Sequence, residues 1–155
     1  MWQDLSVMWQ TTFEEGWNAY KAGSIPIGAA IFDQFGKCLI REHNRSMESE
    51  TLNKSISHAE SNALRALDTS KCNVRELTLY TTMEPCPMCM GTSVMSNIKH
   101  LRYAAHDPYC GSVYLKDTDP YICGKNLDYV HEGGDGIQPP HNARCILYPP
   151  GCRRA

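Results

Sequence analysis

Leu77-Thr78-Leu79-Tyr80-Thr81-Thr82, followed by Met83-Glu84-Pro85-Cys86-Pro87-Met88-Cys89, reads as a strand that turns into a helix. Residues 77–82 are β-branched, aromatic or apolar, the composition that suits a pleated, half-buried surface. Pro85 suits a helix start, where a missing N–H costs little, and the spacing predicts a helix over 86–96. Cys86 and Cys89 then fall in its first turn with both sulfurs on one side. Working outward, the alternation of strand and helix recurs. Leu5, Met8, Trp9, Phe13, Trp17 and Tyr20 stand three and four apart. That period predicts an amphipathic helix over 4–22, with its aromatic residues toward the core and Gly23 as its stop. Two strands over 27–32 and 37–43 are joined by Asp33-Gln34-Phe35-Gly36, a hairpin turn. A polar loop covers 44–56. Ser57 or His58 opens a helix to about Leu67, burying Ala59, Ala63, Leu64 and Leu67. A strand over 100–105, a helical stretch over 111–117 and a strand over 127–130 follow. The pattern predicts an α/β layered sandwich.

The chain has 155 residues, a length that fits one domain. We place that domain at 1–131. The segment 132–155 is rich in Pro and Gly, which opposes helix, and forms a separate C-terminal tail packed on the domain or extending from it. Hydrophobic residues make up 42% and charged residues 21%, as in a soluble globular chain. No apolar run approaches the ~20 residues that span a bilayer, and the first residues lack a signal-peptide pattern. A cytoplasmic location with no membrane partner is the expectation. Eight cysteines then point to a reducing compartment rather than a disulfide framework. Cys38 reads as a small core residue. Cys72, Cys110, Cys123, Cys145 and Cys152 have no assigned role, and a second metal site from His141, Cys145 and Cys152 matches no defensible ligand spacing. The net charge of −2 argues against a nucleic-acid footprint over the whole surface. The small basic clusters at Lys99, His100 and Arg102, and at Arg153 and Arg154, read as solvated faces.

His58-Ala59-Glu60 lies upstream of the cysteine pair. Imidazole and thiolate are zinc ligands, and a catalytic zinc keeps one of four positions for water, whose pKa then falls to near ~7. His58, Cys86 and Cys89 supply three ligands for one zinc ion. Glu60 is a carboxylate placed to move a proton on or off that water. In a regular helix, positions two apart do not face each other. His58 and Glu60 must therefore converge at an irregular first turn. A redox Cys-x-x-Cys would not need His58 or Glu60. A structural zinc site would need a fourth ligand, for which Cys110 or His106 are the candidates.

His-x-Glu followed by Pro-Cys-x-x-Cys is the signature of zinc-dependent nucleobase deaminases. With Pro26-Ile27-Gly28-Ala29-Ala30, His43-Asn44-Arg45, the run from Thr78 to Cys89 and Ala104-Ala105-His106-Asp107, the chain resembles the cytidine/deoxycytidylate deaminase superfamily over residues 5 to about 118. It is most similar to the branch containing tRNA adenosine deaminases, guanine deaminases and fungal-type cytosine deaminase. The resemblance implies a three-layer α/β/α sandwich with a mixed five-stranded sheet, the two metal-bearing helices together on one face, and a homodimer. It implies one catalytic zinc, with Glu60 as proton shuttle, and contacts to substrate from Asn44, Asp107 and the backbone around Ala59 and Pro85. Gly28 resembles the family's small residue at a close approach. Glu84 reads as a structural hydrogen-bonding partner. Tyr109 and Phe35 read either as base-stacking or as core residues. His106 stands where the tRNA-type enzymes carry arginine, and the Pro/Gly-rich tail replaces their terminal helix. With the slightly negative net charge, these departures favour a small-molecule substrate, a free nucleobase or nucleoside, over tRNA. Deamination of tRNA at adenosine 34 is the alternative reading, and a non-catalytic zinc scaffold is a second.

Overall fold

The computed structural model describes residues 2–133. The tail beyond 133, with His141, Cys145, Cys152, Arg153 and Arg154, lies outside the described residues. Helix α1 spans Val7–Lys21 and begins at Ser6, whose hydroxyl accepts from the Trp9 N–H. Gly23 takes the left-handed conformation that ends it, with φ of 75°. The strands are β1 (Gly28–Phe32), β2 (Cys38–His43), β3 (Thr78–Thr81), β4 (His100–Tyr103) and β5 (Asp128–His131). Helix α2 covers Ala59–Ala66 and α3 covers Pro87–Met95, while α4 (Leu115–Thr118) and α5 (Pro120–Cys123) are single turns. The expected helix at 111–117 is thus shorter and starts later. The turn at 120–123 was not anticipated, although Asp119 caps it and Pro120 opens it.

The five strands form one mixed sheet in the order β2-β1-β3-β4-β5. Pairs β1–β2 and β1–β3 are antiparallel, and β3–β4 and β4–β5 are parallel. Asp33 organises the β1–β2 turn by accepting from the Phe35 and Lys37 N–H groups. Phe35 sits exposed at that tip, at the far end of β1 from Asn44, so it is neither core nor a base platform. Parallel neighbours need crossovers, supplied by α3 between β3 and β4 and by α4 and α5 between β4 and β5. On one face Ala29, Ile31, Leu79 and Leu101 meet Ala59, Ala63 and Leu64 of α2 and Met90 and Val94 of α3. On the other, Phe32 and Tyr80 meet edge to face and Trp9 packs on Tyr80. The three layers follow.

Helix α1 corrects one expectation. Trp17 and Tyr20 do not face the core: they are 60% and 52% exposed and stack on each other. The buried face is Trp9, Thr12, Glu15, Gly16 and Ala19. The cause is the closeness of α1 to β1. A Cβ at Gly28 would lie 2.2 Å from the Thr12 carbonyl oxygen and 2.4 Å from the Gly16 nitrogen. No side chain fits at position 28 between such backbones. Gly28→Ala is therefore expected to destabilise the fold by more than about 3 kcal/mol, since neither contact is a flexible side chain that can move aside. A chemical denaturation midpoint close to wild type would contradict this packing.

Glu15 is the charged residue of that buried face. Its carboxylate accepts from Arg41 Nε and lies 3.0 Å from His43 Nδ1, while His43 Nε2 is 2.9 Å from Glu48. Burial raises its pKa, but the bonds from Arg41 and His43 outweigh this and hold it below the usual carboxylate range. A depressed folded-state pKa contributes stability that is present above the unfolded value of about 4 and is lost as pH falls through the folded value. Glu15→Gln is expected to cost about 2 kcal/mol near neutrality. The gap from wild type should close as urea titrations are repeated below pH 4. A pH-independent gap would show that packing, not charge, holds this residue.

In the basic cluster near residue 100, Arg102 and His100 have acidic partners, while Lys99 Nζ donates to the Lys125 carbonyl. Arg102 pairs with Asp128 at 2.6 Å and Glu132 at 2.8 Å, and His100 lies 3.1 Å from the same aspartate. No helix of the described residues is long and apolar enough to cross a membrane.

Candidate active site

His58 is the N-cap of α2, with extended backbone at φ −78° and ψ 152°, and Glu60 is the second helical residue. The break at the cap swings the two side chains together. Cys89 Sγ lies 3.6 Å from His58 Nδ1 and 3.5 Å from Glu60 Oε2. The convergence demanded by the sequence is met because His58 stands just outside the helix. Cys86 likewise caps α3, at φ −70° and ψ 171°. Here the expected boundary shifts: Pro87, not Pro85, opens the helix. A proline disfavours the helical conformation of the residue before it, so Cys86 stays extended and Cys89 falls in the first turn.

Cys86 Sγ and Cys89 Sγ lie 3.5 and 3.6 Å from His58 Nδ1. An ion about 2.0 Å from nitrogen and about 2.3 Å from sulfur at a tetrahedral angle separates those ligands by about 3.6 Å. Both nitrogen–sulfur separations match those of zinc ligands, and all three ligand atoms lie within 4.8 Å of one another. Among the described residues this is the one group of histidine, cysteine and acidic side chains arranged to hold a metal ion. Neither suggested fourth ligand joins it. His106 Nδ1 lies 3.1 Å from Glu84, and Cys110 Sγ donates to Asp107. Three protein ligands leave one position for water or substrate.

The electrostatics suit a cation. A hydrogen bond from Cys89, against the opposing effect of burial and with help from His58, brings the Cys86 thiol down to about 4. The same bond, with burial, pushes the Cys89 thiol upward. The His58 pKa is raised, chiefly by its bond to Cys86. Glu60 is buried, and that burial pushes its pKa up. A carboxyl with a raised pKa, unable to turn away into solvent, is suited to proton transfer near neutral pH.

Asn44 is 1% exposed. Its N–H bonds the Ile27 carbonyl, and the next residue, Arg45, bonds the carbonyl of Ser57, next to His58. Ala59 and Pro85 are buried, and the Pro85 carbonyl accepts from the Ser112 N–H. Asp107 is turned to its own loop: Oδ1 accepts from the Tyr109 and Cys110 N–H groups. Glu84 ties this loop to the cysteine turn, accepting from the Asp107 and Val113 N–H groups. That is the structural part read from the sequence. Tyr109 is exposed on the same loop and does not belong to the core. The residues not singled out from sequence are Ser24 and Ser46. Both bond Asn44, and nothing in a lone serine 20 residues away announces it.

Residues 3–105 match the model of the cytidine and deoxycytidylate deaminase zinc-binding region. The chain belongs to this family. It is 38% identical over 102 residues to a tRNA-specific adenosine deaminase of Bacillus subtilis, covering 63% of this chain and 60% of that protein. The chain thus spans about 60% of the length of that relative. In fold it is similar to a structure from a study of A-to-I editing by tRNA:A34 deaminases at the wobble position of transfer RNA. The TM-score is 0.68 at 26% identity, covering 80% of this chain and 95% of that one. It is also similar to the guanine deaminase of Bacillus subtilis, with TM-score 0.54 at 30% identity, covering 64% and 62%.

Proposed function

We propose that this protein is a zinc-dependent hydrolytic deaminase acting on an adenine base in a tRNA anticodon. The observation that carries the reading is the similarity to a tRNA-specific adenosine deaminase across the residues that hold the site. The trio of ligands with a buried carboxylate against it supports the chemistry. Zinc, when held by His58, Cys86 and Cys89, supplies Lewis-acid activation of water. Glu60 accepts the proton released as water adds to the carbon bearing the amine. It passes that proton to the ring nitrogen, then takes the proton of the newly added hydroxyl and hands it to the departing amino group, so that ammonia leaves and an oxo base remains. Asn44 holds the base edge, and Ala59 and the Pro85–Cys86 backbone line the reacting group. Asp107 keeps the neighbouring loop in place.

This reading replaces the preference for a free base or nucleoside, whose grounds lie away from the chemistry. Net charge is a whole-chain quantity, His106 braces Glu84, and the tail is outside the described residues. Free guanine is the second reading, favoured by the likeness to guanine deaminase and by the pairing of Arg102 with Asp128. One panel separates them. Zinc-loaded protein is given free bases, nucleosides and an adenosine-34 tRNA stem-loop, and ammonia release is followed. The stem-loop is expected to be the preferred substrate, with turnover falling as salt is added because phosphate contacts weaken. Turnover of guanine with none of the stem-loop would establish the second reading.

A further inference from the structure

The Asn44 carboxamide is engaged at one end. Its Oδ1 accepts from the Ser46 backbone N–H at 2.9 Å, the Ser46 hydroxyl at 2.6 Å and the Ser24 hydroxyl at 3.0 Å. A backbone N–H can only donate, so the atom facing Ser46 must be the oxygen, and the orientation of the amide is settled. Ser24 Oγ also accepts from the Met47 N–H at 3.2 Å. That bond occupies an acceptor site on Ser24 and leaves its hydrogen for Asn44. Ser24 is 2% exposed, so its bond to Asn44 is kept from water. Three donors saturate one carbonyl oxygen. Nδ2 makes no hydrogen bond among the described residues.

We infer that Ser24 and Ser46 are positioning residues that make Asn44 a donor-only reader of the substrate. This rests on the deaminase reading above, in which Asn44 meets the base. Left free, an amide rotates by half a turn and reads either a donor or an acceptor. Clamped by its oxygen, it offers only N–H. The base must then present a ring nitrogen or carbonyl oxygen at that edge. A base with an N–H or amino group there meets donor with donor and is rejected. The selection is made by two serines, of which Ser24 stands on the segment between α1 and β1.

The test uses the full zinc-loaded chain with stem-loops carrying adenosine, 7-deazaadenosine or 3-deazaadenosine at the target position. Each analogue removes one ring acceptor away from the reacting carbon. Wild type is expected to lose about tenfold in kcat/KM on one analogue, and Asn44→Ala to lose that discrimination. Ser24→Ala should raise KM several-fold with kcat little changed and shrink the discrimination, while Ser24→Thr, which keeps the hydroxyl, restores it. Asn44→Asp keeps the clamped oxygen but replaces the donor, and should fail on adenosine. Equal loss on adenosine and both analogues in Ser24→Ala would reduce Ser24 to a packing residue and overturn the inference. So would an active Asn44→Asp. If wild type deaminates free guanine instead, the tRNA reading falls, and the same variants on 7-deazaguanine and 3-deazaguanine still decide the clamp. Hydrogen exchange of the Ser46 and Met47 amides needs no substrate. It should quicken in Ser24→Ala, and unchanged exchange would also overturn the clamp.

Discussion

Glu60→Gln is expected to bind zinc as wild type does and to lose about 10²–10⁴-fold in turnover, the contribution of general acid–base catalysis. The substitution keeps shape and hydrogen-bonding capacity but cannot take up a proton. Stability should respond in the opposite direction. Burial raises the Glu60 pKa, and the residue is only 4% exposed. A carboxyl whose folded-state pKa lies above its unfolded value contributes stability that is present below the unfolded value of about 4 and is lost as pH rises through the folded value. With zinc chelated from both proteins, the variant should therefore be at least as stable as wild type at pH 7. A variant that keeps wild-type turnover would remove Glu60 from the chemistry. One that is inactive because it has lost zinc would make Glu60 part of the metal shell, which the grouping of His58, Cys86 and Cys89 without it argues against.

The metal site was legible because it is built from two motifs that are each local in sequence. His58 and Glu60 lie two apart, Cys86 and Cys89 three apart, and each pair sits at a helix start that Ser57-His58 and Pro85-Cys86-Pro87 announce in the sequence. The sheet was legible for a related reason: turn residues punctuate short runs of fixed period. What failed was the facing of α1. Hydrophobic periodicity ranks side chains by size and assumes that the largest face inward. Trp17 and Tyr20 obey the period and still face solvent, because the Thr12, Gly16 and Ala19 face must approach the backbone at Gly28. Gly28 was read as a close-approach residue, but its partner across the gap was not. The clamp on Asn44 was invisible for a different reason. It joins Ser24, Asn44 and Ser46, two of them buried, through hydrogen bonds whose direction only geometry reveals.

Cys86→Ala is expected to abolish stoichiometric zinc binding and, with it, turnover. Three protein ligands are the minimum that leaves a working position open, and two cannot hold the ion against water. The loss should also appear as stability. A ligand that binds only the folded state stabilises by RT ln(1 + [L]/Kd), about 4 kcal/mol at a thousandfold excess over Kd. Zinc should raise the melting temperature of wild type and leave that of Cys86→Ala where it was. Acidity works against the same equilibrium. Cys86 is already a thiolate near neutrality, its thiol having been brought to about 4. The proton of Cys89 is held more tightly than usual, and that of His58 likewise. Metal binding must displace both, so the zinc-dependent rise in melting temperature should shrink as pH is lowered. Cys110→Ala is the control. Cys110 is exposed and bonded to Asp107, so its removal should leave zinc content at one per chain. Loss of zinc in that control, with retention in Cys86→Ala, would move the ligand set to the 106–111 loop. It would also turn the open catalytic site into a closed structural one.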